Sequence, residues 1–257
     1  MGVREEEAVG FEHIRVEQAG DVALLTLHRP EVLNAYQPDM GDEIVTAFDA
    51  FREDDEVRAI VITGAGRAFC AGVDLEFLKR ERARAERGEP VERRIGEEHF
   101  VQGFAADLAA YPKPVVAAVN GPAIGVGVTM TLPCDVRIAA EGARFGLPFA
   151  KLGMLPGLGS THLLPQIVGL AAALDLVLTA RTIDAGEALR IGLVSRVVPG
   201  ERLLDEARAL AGRMAECDPA ALAAAKRALH AGASSDLAAA MALEKALSAE
   251  IRERRRV

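Results

Sequence analysis

Strand-like and helix-like hydrophobic patterns alternate along the first 150 residues, and helical spacing dominates the rest. The run DVALLTLHRP (21–30) is almost continuously apolar and closes on Arg-Pro, the pattern of a buried strand. In PDMGDEIVTAFDAFRED (38–54), Met40, Ile44, Phe48 and Phe51 recur at helical spacing and predict an amphipathic helix. VRAIVITGAG (57–66) predicts a second strand entering a glycine turn. KPVVAAVNG (113–121) predicts a third, and CDVRIAAEGARFG (134–146) a fourth with a short fifth. Strands alternating with helices define an α/β chain. From about Gly169 Ala-rich amphipathic helices take over, at 171–180, 184–192, 202–216, 219–232 and 236–256, interrupted only by the strand LVSRVV (193–198). No repeat of solenoid period occurs.

Composition narrows the partners. The 257 residues fit one large domain or a domain with a small appendage, and half are hydrophobic, enough for a sizeable core. A net charge of -8 argues against a nucleic-acid or anionic-membrane binder, since both need a basic face. Cys70, Cys134 and Cys217 form no CxxC or metal-ligand spacing. With an acidic N-terminus that lacks an apolar signal core, this odd count implies reduced thiols and a cytoplasmic location. The longest apolar run, 114–134, has about the length of a membrane span, but Asn120, three glycines and two prolines interrupt it. The mixed-charge segment 79–98 reads as a solvated helix and loop.

That apolar run raises the chemical question. Its stretch GPAIGVGVTM follows a strand, as a dinucleotide loop does, but Met130 stands where the third glycine of GxGxxG belongs, which disfavours a nicotinamide or flavin site. GLGSTH lacks the GxSxG spacing of a nucleophile elbow. A second glycine loop, GRAFCAGVDL, follows another strand. Glycine lets backbone approach a ligand closely, and two N–H groups aimed at one oxygen stabilise an enolate or tetrahedral oxyanion.

Taken together, RPEVLNA, AFCAGVDL, KPVVAAVNGPAIGVGVTM, CDVRIAAEGARFGLP, KLGMLPGLGSTHLLPQIVG and TARTIDAGEALRIGLVSRVVP, in this order, make the chain resemble the crotonase superfamily, the enoyl-CoA hydratase/isomerase family. The resemblance spans about residues 10–230. It implies an α/β fold: a spiral core of repeated ββα turns (1–200) that binds acyl-CoA, and a C-terminal helical region (201–257) that builds a homotrimer or a dimer of trimers. It implies an acyl- or enoyl-CoA thioester as ligand and no cofactor beyond the coenzyme A of that substrate. By motif, the thioester oxygen is held by the N–H groups of Ala71 and Val126, where Val126 replaces a usual glycine. Gly72, Val73, Asp74 and Gly125 line the acyl-CoA path, and Arg29 and Asn34 border the nucleotide, with Lys226 a weaker candidate for a phosphate.

Three departures stand against this pattern. The two carboxylates that hydration uses, one to activate water and one to deliver a proton, fall at Thr129 and Phe149. The alternative isomerase carboxylate falls at Gly157. Other acids have structural readings: Asp74 as part of the loop, Glu97, Glu98 and His99 as the start of a helix, Asp135 as a hydrogen-bond acceptor, and His162 as a packing residue. The expected function is therefore an acyl-CoA enzyme of hydratase/isomerase type that stabilises a thioester enolate in a backbone oxyanion hole, with weak hydration or a different reaction. The alternative is a non-catalytic acyl-CoA binding protein.

Overall fold

The computed structural model describes residues 10–90 and 93–254. Six strands form the main sheet: β1 (Ile14–Ala19), β2 (Val22–Leu27), β3 (Ala59–Gly64), β4 (Val115–Val119), β6 (Val136–Ala140) and β9 (Arg196–Val198), in the order β1-β2-β3-β4-β6-β9. Only β1 and β2 run antiparallel; the other neighbours are parallel. A smaller sheet holds β5 (Ala123–Ile124), β7 (Arg144–Gly146) and β8 (Thr182–Asp184). From β4 to β7 the chain alternates between the two sheets: β4 is followed by β5, and β6 by β7. Beyond β3, Cys70 makes an isolated bridge to Ala123 and so takes the equivalent place. The turns that begin at β3, β4 and β6 thus each lay one strand in the large sheet and a short strand or bridge in the small one.

Every residue of β3 and β4 is buried, because apolar clusters cover both faces of the main sheet. On one face lies α1 (Pro38–Glu53), which starts at Pro38, whose fixed φ suits the first helical position. It buries Met40, Ile44, Ala47, Phe48 and Phe51, the stripe legible in the sequence. The helices α2 (Leu75–Glu86), α3 (His99–Gln102), α4 (Phe104–Ala109), α5 (Val126–Thr129), α6 (Ser160–Thr179) and α7 (Ala185–Arg190) follow in chain order. On the other face lies α8 (Leu203–Ala215), burying Leu203, Ala207, Leu210, Ala211 and Ala215 against Val61, Val116 and Ile138. The first helix of the expected C-terminal region is therefore packed on the sheet itself. Only α9 (Pro219–Gly232) and α10 (Leu237–Arg254) form an outlying antiparallel pair.

The sequence pattern missed β1. Its Arg15 and Glu17 are exposed and alternate with Ile14 and Val16, and with Gln18 half of this edge strand is polar. The apolar run 114–134 folds as β4, β5 and α5. Helix α6 is long and apolar enough in composition to cross a membrane, but Gly169 (φ 77°, ψ 153°) breaks it near the middle.

Candidate active site

Two loops leave the ends of β3 and β4 and meet. Cys70 N–H donates to Pro122 O (3.1 Å), and Ile124 N–H donates to Cys70 O (2.9 Å), which ties the loops side by side. Gly127 makes this contact feasible: a Cβ there would lie 2.2 Å from Cys70 O. Gly125 turns the chain from β5 into α5 at φ +55° and ψ −115°, a conformation that side chains rarely adopt.

The main-chain donors of the first loop differ from the expectation at Ala71. Ala71 N–H is already committed to Leu33 O (3.0 Å), so it is not free to meet a ligand oxygen. Two residues on, the situation reverses. Tyr36 N–H donates to Gly72 O and Asp74 N–H donates to Tyr36 O, both at 2.8 Å, so Tyr36 straddles Val73. Val73 N–H points away from this bridge and has no acceptor among the described residues. Val126 N–H, at the first position of α5, likewise has none, whereas Gly125 N–H is spent on Gly146 O (2.8 Å).

Arg29 and Asn34, expected beside a nucleotide, have internal work instead. Arg29 ion-pairs with Asp74 (2.9 Å) and also donates to Ala35 O. Asn34 is fully buried, accepts from Arg29 N–H and donates to Ala65 O and Ala68 O, pinning the chain that leads into the first loop. Asp74 caps α2 by accepting from the Glu76 and Phe77 amides. Burial pushes its carboxyl up, but the Phe77 amide and the Arg29 guanidinium outweigh that and hold it below the ordinary carboxylate range. Lys226 is paired with Asp135 (2.9 Å), far from any exposed phosphate role.

No ionisable group stands at the three positions where the sequence departed. Thr129 is buried at the end of α5, and its hydroxyl donates weakly to Val126 O (3.4 Å). Phe149 lies in a 3₁₀ turn (Pro148–Leu152), with its ring tip 3.7 Å from where a Gly125 Cβ would be. Gly157 precedes α6, and a Cβ added to it would meet Val101 Cγ1 at 3.5 Å. Phe149, Gly125 and Val126 thus share one apolar corner, and Val101 and Gly157 form another close contact. Two apolar core cavities, one beside Phe100 and Met130 and one beside Val128 and Leu147, are not lined by Val73 or Val126.

Two participants escaped the sequence pattern. Tyr36 acts through its backbone, and nothing in the string LNAYQ marks that. Glu98, read as a helix-start acid, makes no cap; its carboxylate accepts the Tyr36 hydroxyl (2.6 Å) and the Gly96 amide (2.7 Å).

The family model of enoyl-CoA hydratase/isomerase matches residues 17–256. A probable enoyl-CoA hydratase of Mycobacterium tuberculosis is 39% identical over 244 residues, 92% of this chain and 88% of that protein. The short-chain-enoyl-CoA hydratase of Clostridium acetobutylicum is 37% identical over 233 residues, 90% and 86% of the two chains. Among solved structures, an enoyl-CoA hydratase from Geobacillus kaustophilus superposes with a TM-score of 0.83 at 36% identity, covering 95% of this chain and 91% of its own. A monofunctional enoyl-CoA isomerase from M. smegmatis superposes with a TM-score of 0.74 at 34% identity, covering 89% and 98%.

Proposed function

The chain belongs to the enoyl-CoA hydratase/isomerase family, and from that premise we propose that it binds an acyl-CoA thioester and stabilises its enolate with the main-chain amides of Val73 and Val126. The observation that carries this reading is the donor account: on two loops fastened through Cys70, Val73 and Val126 hold N–H groups without acceptors among the described residues, whereas Ala71 and Gly125 have theirs spent. When a proton leaves the carbon next to the thioester carbonyl, the electron pair moves onto the carbonyl oxygen. Donors already fixed there need no reorganisation, and removing one such donor typically costs on the order of 10²–10³ in rate.

The proton is the weak point. Thr129 does not ionise near neutral pH, and Phe149 and Gly157 carry no proton to give. Asp74 caps α2 and pairs with Arg29, and Glu98 is bound to Tyr36 and Gly96. General acid–base help is typically worth about 10²–10⁴-fold, so hydration of a short enoyl thioester is expected to run slower than in a two-carboxylate hydratase by at least that factor. Mass spectrometry of a panel of acyl- and enoyl-CoA thioesters tests this. A moved double bond at unchanged mass supports enolate chemistry with a substrate- or solvent-borne proton. Rapid gain of one water would refute the reading of Thr129 and Phe149. The apolar Phe149 corner also suits a second reading, a non-catalytic acyl-CoA binder, which predicts tight binding with every thioester returned intact.

Self-association belongs to the same proposal. Leu170, Leu174 and Leu178 are exposed along α6, and Leu229, Leu237 and Met241 along α9 and α10. Apolar surface on this scale marks an interaction face. Sedimentation equilibrium is expected to give three or six times the 27.3 kDa chain mass. A monomer would remove the homotrimer and dimer-of-trimers readings together.

A further inference from the structure

The Tyr36 side chain is fully buried beside the first loop, and the enolate chemistry leaves it without a role. Its backbone brackets Val73 through hydrogen bonds to Gly72 and from Asp74, so a displacement of Tyr36 displaces the Val73 amide. Its ring is fully buried and stacks on Phe100, with centroids 5.1 Å apart and planes 25° apart. Its hydroxyl lies so close to α1 that a Cβ on Gly41 would sit 2.5 Å from it. That hydroxyl ends on Glu98, whose second oxygen holds the Gly96 amide. Glu98 is only 8% exposed. Burial pushes the Tyr36 phenol well above its ordinary range and Glu98 reinforces that, so the hydroxyl stays a donor.

For stability alone this arrangement is a poor choice. An apolar pair of the same shape would pack as well, without keeping a carboxylate out of water. What the polar pair adds is direction: a short hydrogen bond fixes the ring along its long axis, which packing alone does not.

We propose that Tyr36 is a positioning residue, anchored by Glu98, that holds the Val73 N–H in the direction needed to stabilise the enolate. The inference rests on the enolate reading above. Its role lies in the charge-bearing state, since the ring is fully buried and offers no exposed surface to a ligand. Loss of the hydroxyl is therefore expected to weaken enolate stabilisation while leaving ligand binding intact.

Acetoacetyl-CoA tests this without needing turnover, because its bound enolate absorbs in the near ultraviolet and reports the donors alone. Titration of the wild-type protein, by calorimetry and absorbance together, gives both the dissociation constant and the enolate fraction of bound ligand. With the dissociation constant corrected for the enolate fraction, Tyr36→Phe is expected to bind the keto form within about twofold of wild type and to lower the enolate-to-keto ratio about tenfold, a part of the roughly 10²–10³ that complete loss of a donor costs. Glu98→Gln still accepts from the Tyr36 hydroxyl but offers no second acceptor to Gly96, so a smaller drop of the same kind is expected. It serves as the reading if Tyr36→Phe does not fold. An unchanged enolate ratio in the folded variants would overturn the inference, as would a loss of keto-form affinity as large as the drop in that ratio. If wild type binds the thioester and shows no enolate at all, the enolate reading itself fails and this inference falls with it.

Discussion

Gly127→Ala is expected to cost the protein both stability and the enolate signal. The added Cβ would lie 2.2 Å from Cys70 O and 3.0 Å from Cys70 Cβ. The first of these is a backbone atom held by Ile124 N–H, so no flexible side chain can swing aside. One loop has to move against the other. Overpacking of a rigid site typically costs about 1–3 kcal/mol, and relief here separates the two segments that carry Val73 and Val126. A donor moved by about 1 Å costs on the order of 10²-fold in a positioned reaction. Thermal unfolding and the acetoacetyl-CoA enolate ratio measure the two effects separately. Gly142→Ala is the control: nothing lies within 4 Å of a Cβ there, so a change within about 0.5 kcal/mol is expected. A Gly127→Ala protein that melts and enolises like wild type would mean that the two loops are not held in the register described.

The same pair of loops shows how far the sequence carries. The glycines of the apolar run were visible as a demand for close approach, and the order of motifs placed the family. That Thr129, Phe149 and Gly157 carry no carboxylate was also legible, because it is a matter of residue type; that a hydratase would use those positions rests on the resemblance. What the sequence did not carry was the direction of each amide. Ala71 and Val73 are two residues apart and both sit on the first glycine loop, yet one N–H is spent on Leu33 and the other is left open. That difference comes from a parallel bridge to Tyr36, a contact across more than thirty residues that leaves no periodic trace. Arg29 and Asn34 show the same limit from another side. A cation and an amide beside a presumed nucleotide path look like ligands, but the fold uses both to build the loop. Gly169 was readable as the point where the pattern changed, and it is the break in α6; the residues before it, 160–168, were too mixed to reveal their half of the helix.

Asp135→Ala is the second large effect, and it bears on how the outlying helices stay attached. Asp135 Oδ2 accepts from Val115 N–H (2.8 Å), at the start of β4, and from Lys226 Nζ (2.9 Å) on α9. The Lys226 and Asp135 side chains are only 9% and 17% exposed. Removing the carboxylate leaves the Val115 amide without its acceptor and the Lys226 ammonium with only a long contact to Lys113 O (3.5 Å) in a largely dry site. Breaking a buried pair in this way costs about 3–5 kcal/mol, and at roughly 2–4 °C per kcal/mol the melting midpoint is expected to fall by about 10 °C. Lys226→Met is expected to cost less. Its methionine keeps the apolar packing of the lysine stem, and Asp135 keeps the Val115 amide. The ordering of the two variants is the decisive measurement. Equal losses would mean that the ion pair alone carries the effect. A loss below about 1 kcal/mol for Asp135→Ala would mean that α9 is held by its packing and that the Lys226–Asp135 contact is incidental. The predicted order, with the aspartate costlier than the lysine, makes Asp135 the joint between strand β4, which leads into the second glycine loop, and the helices whose exposed leucines are available to another copy of the chain.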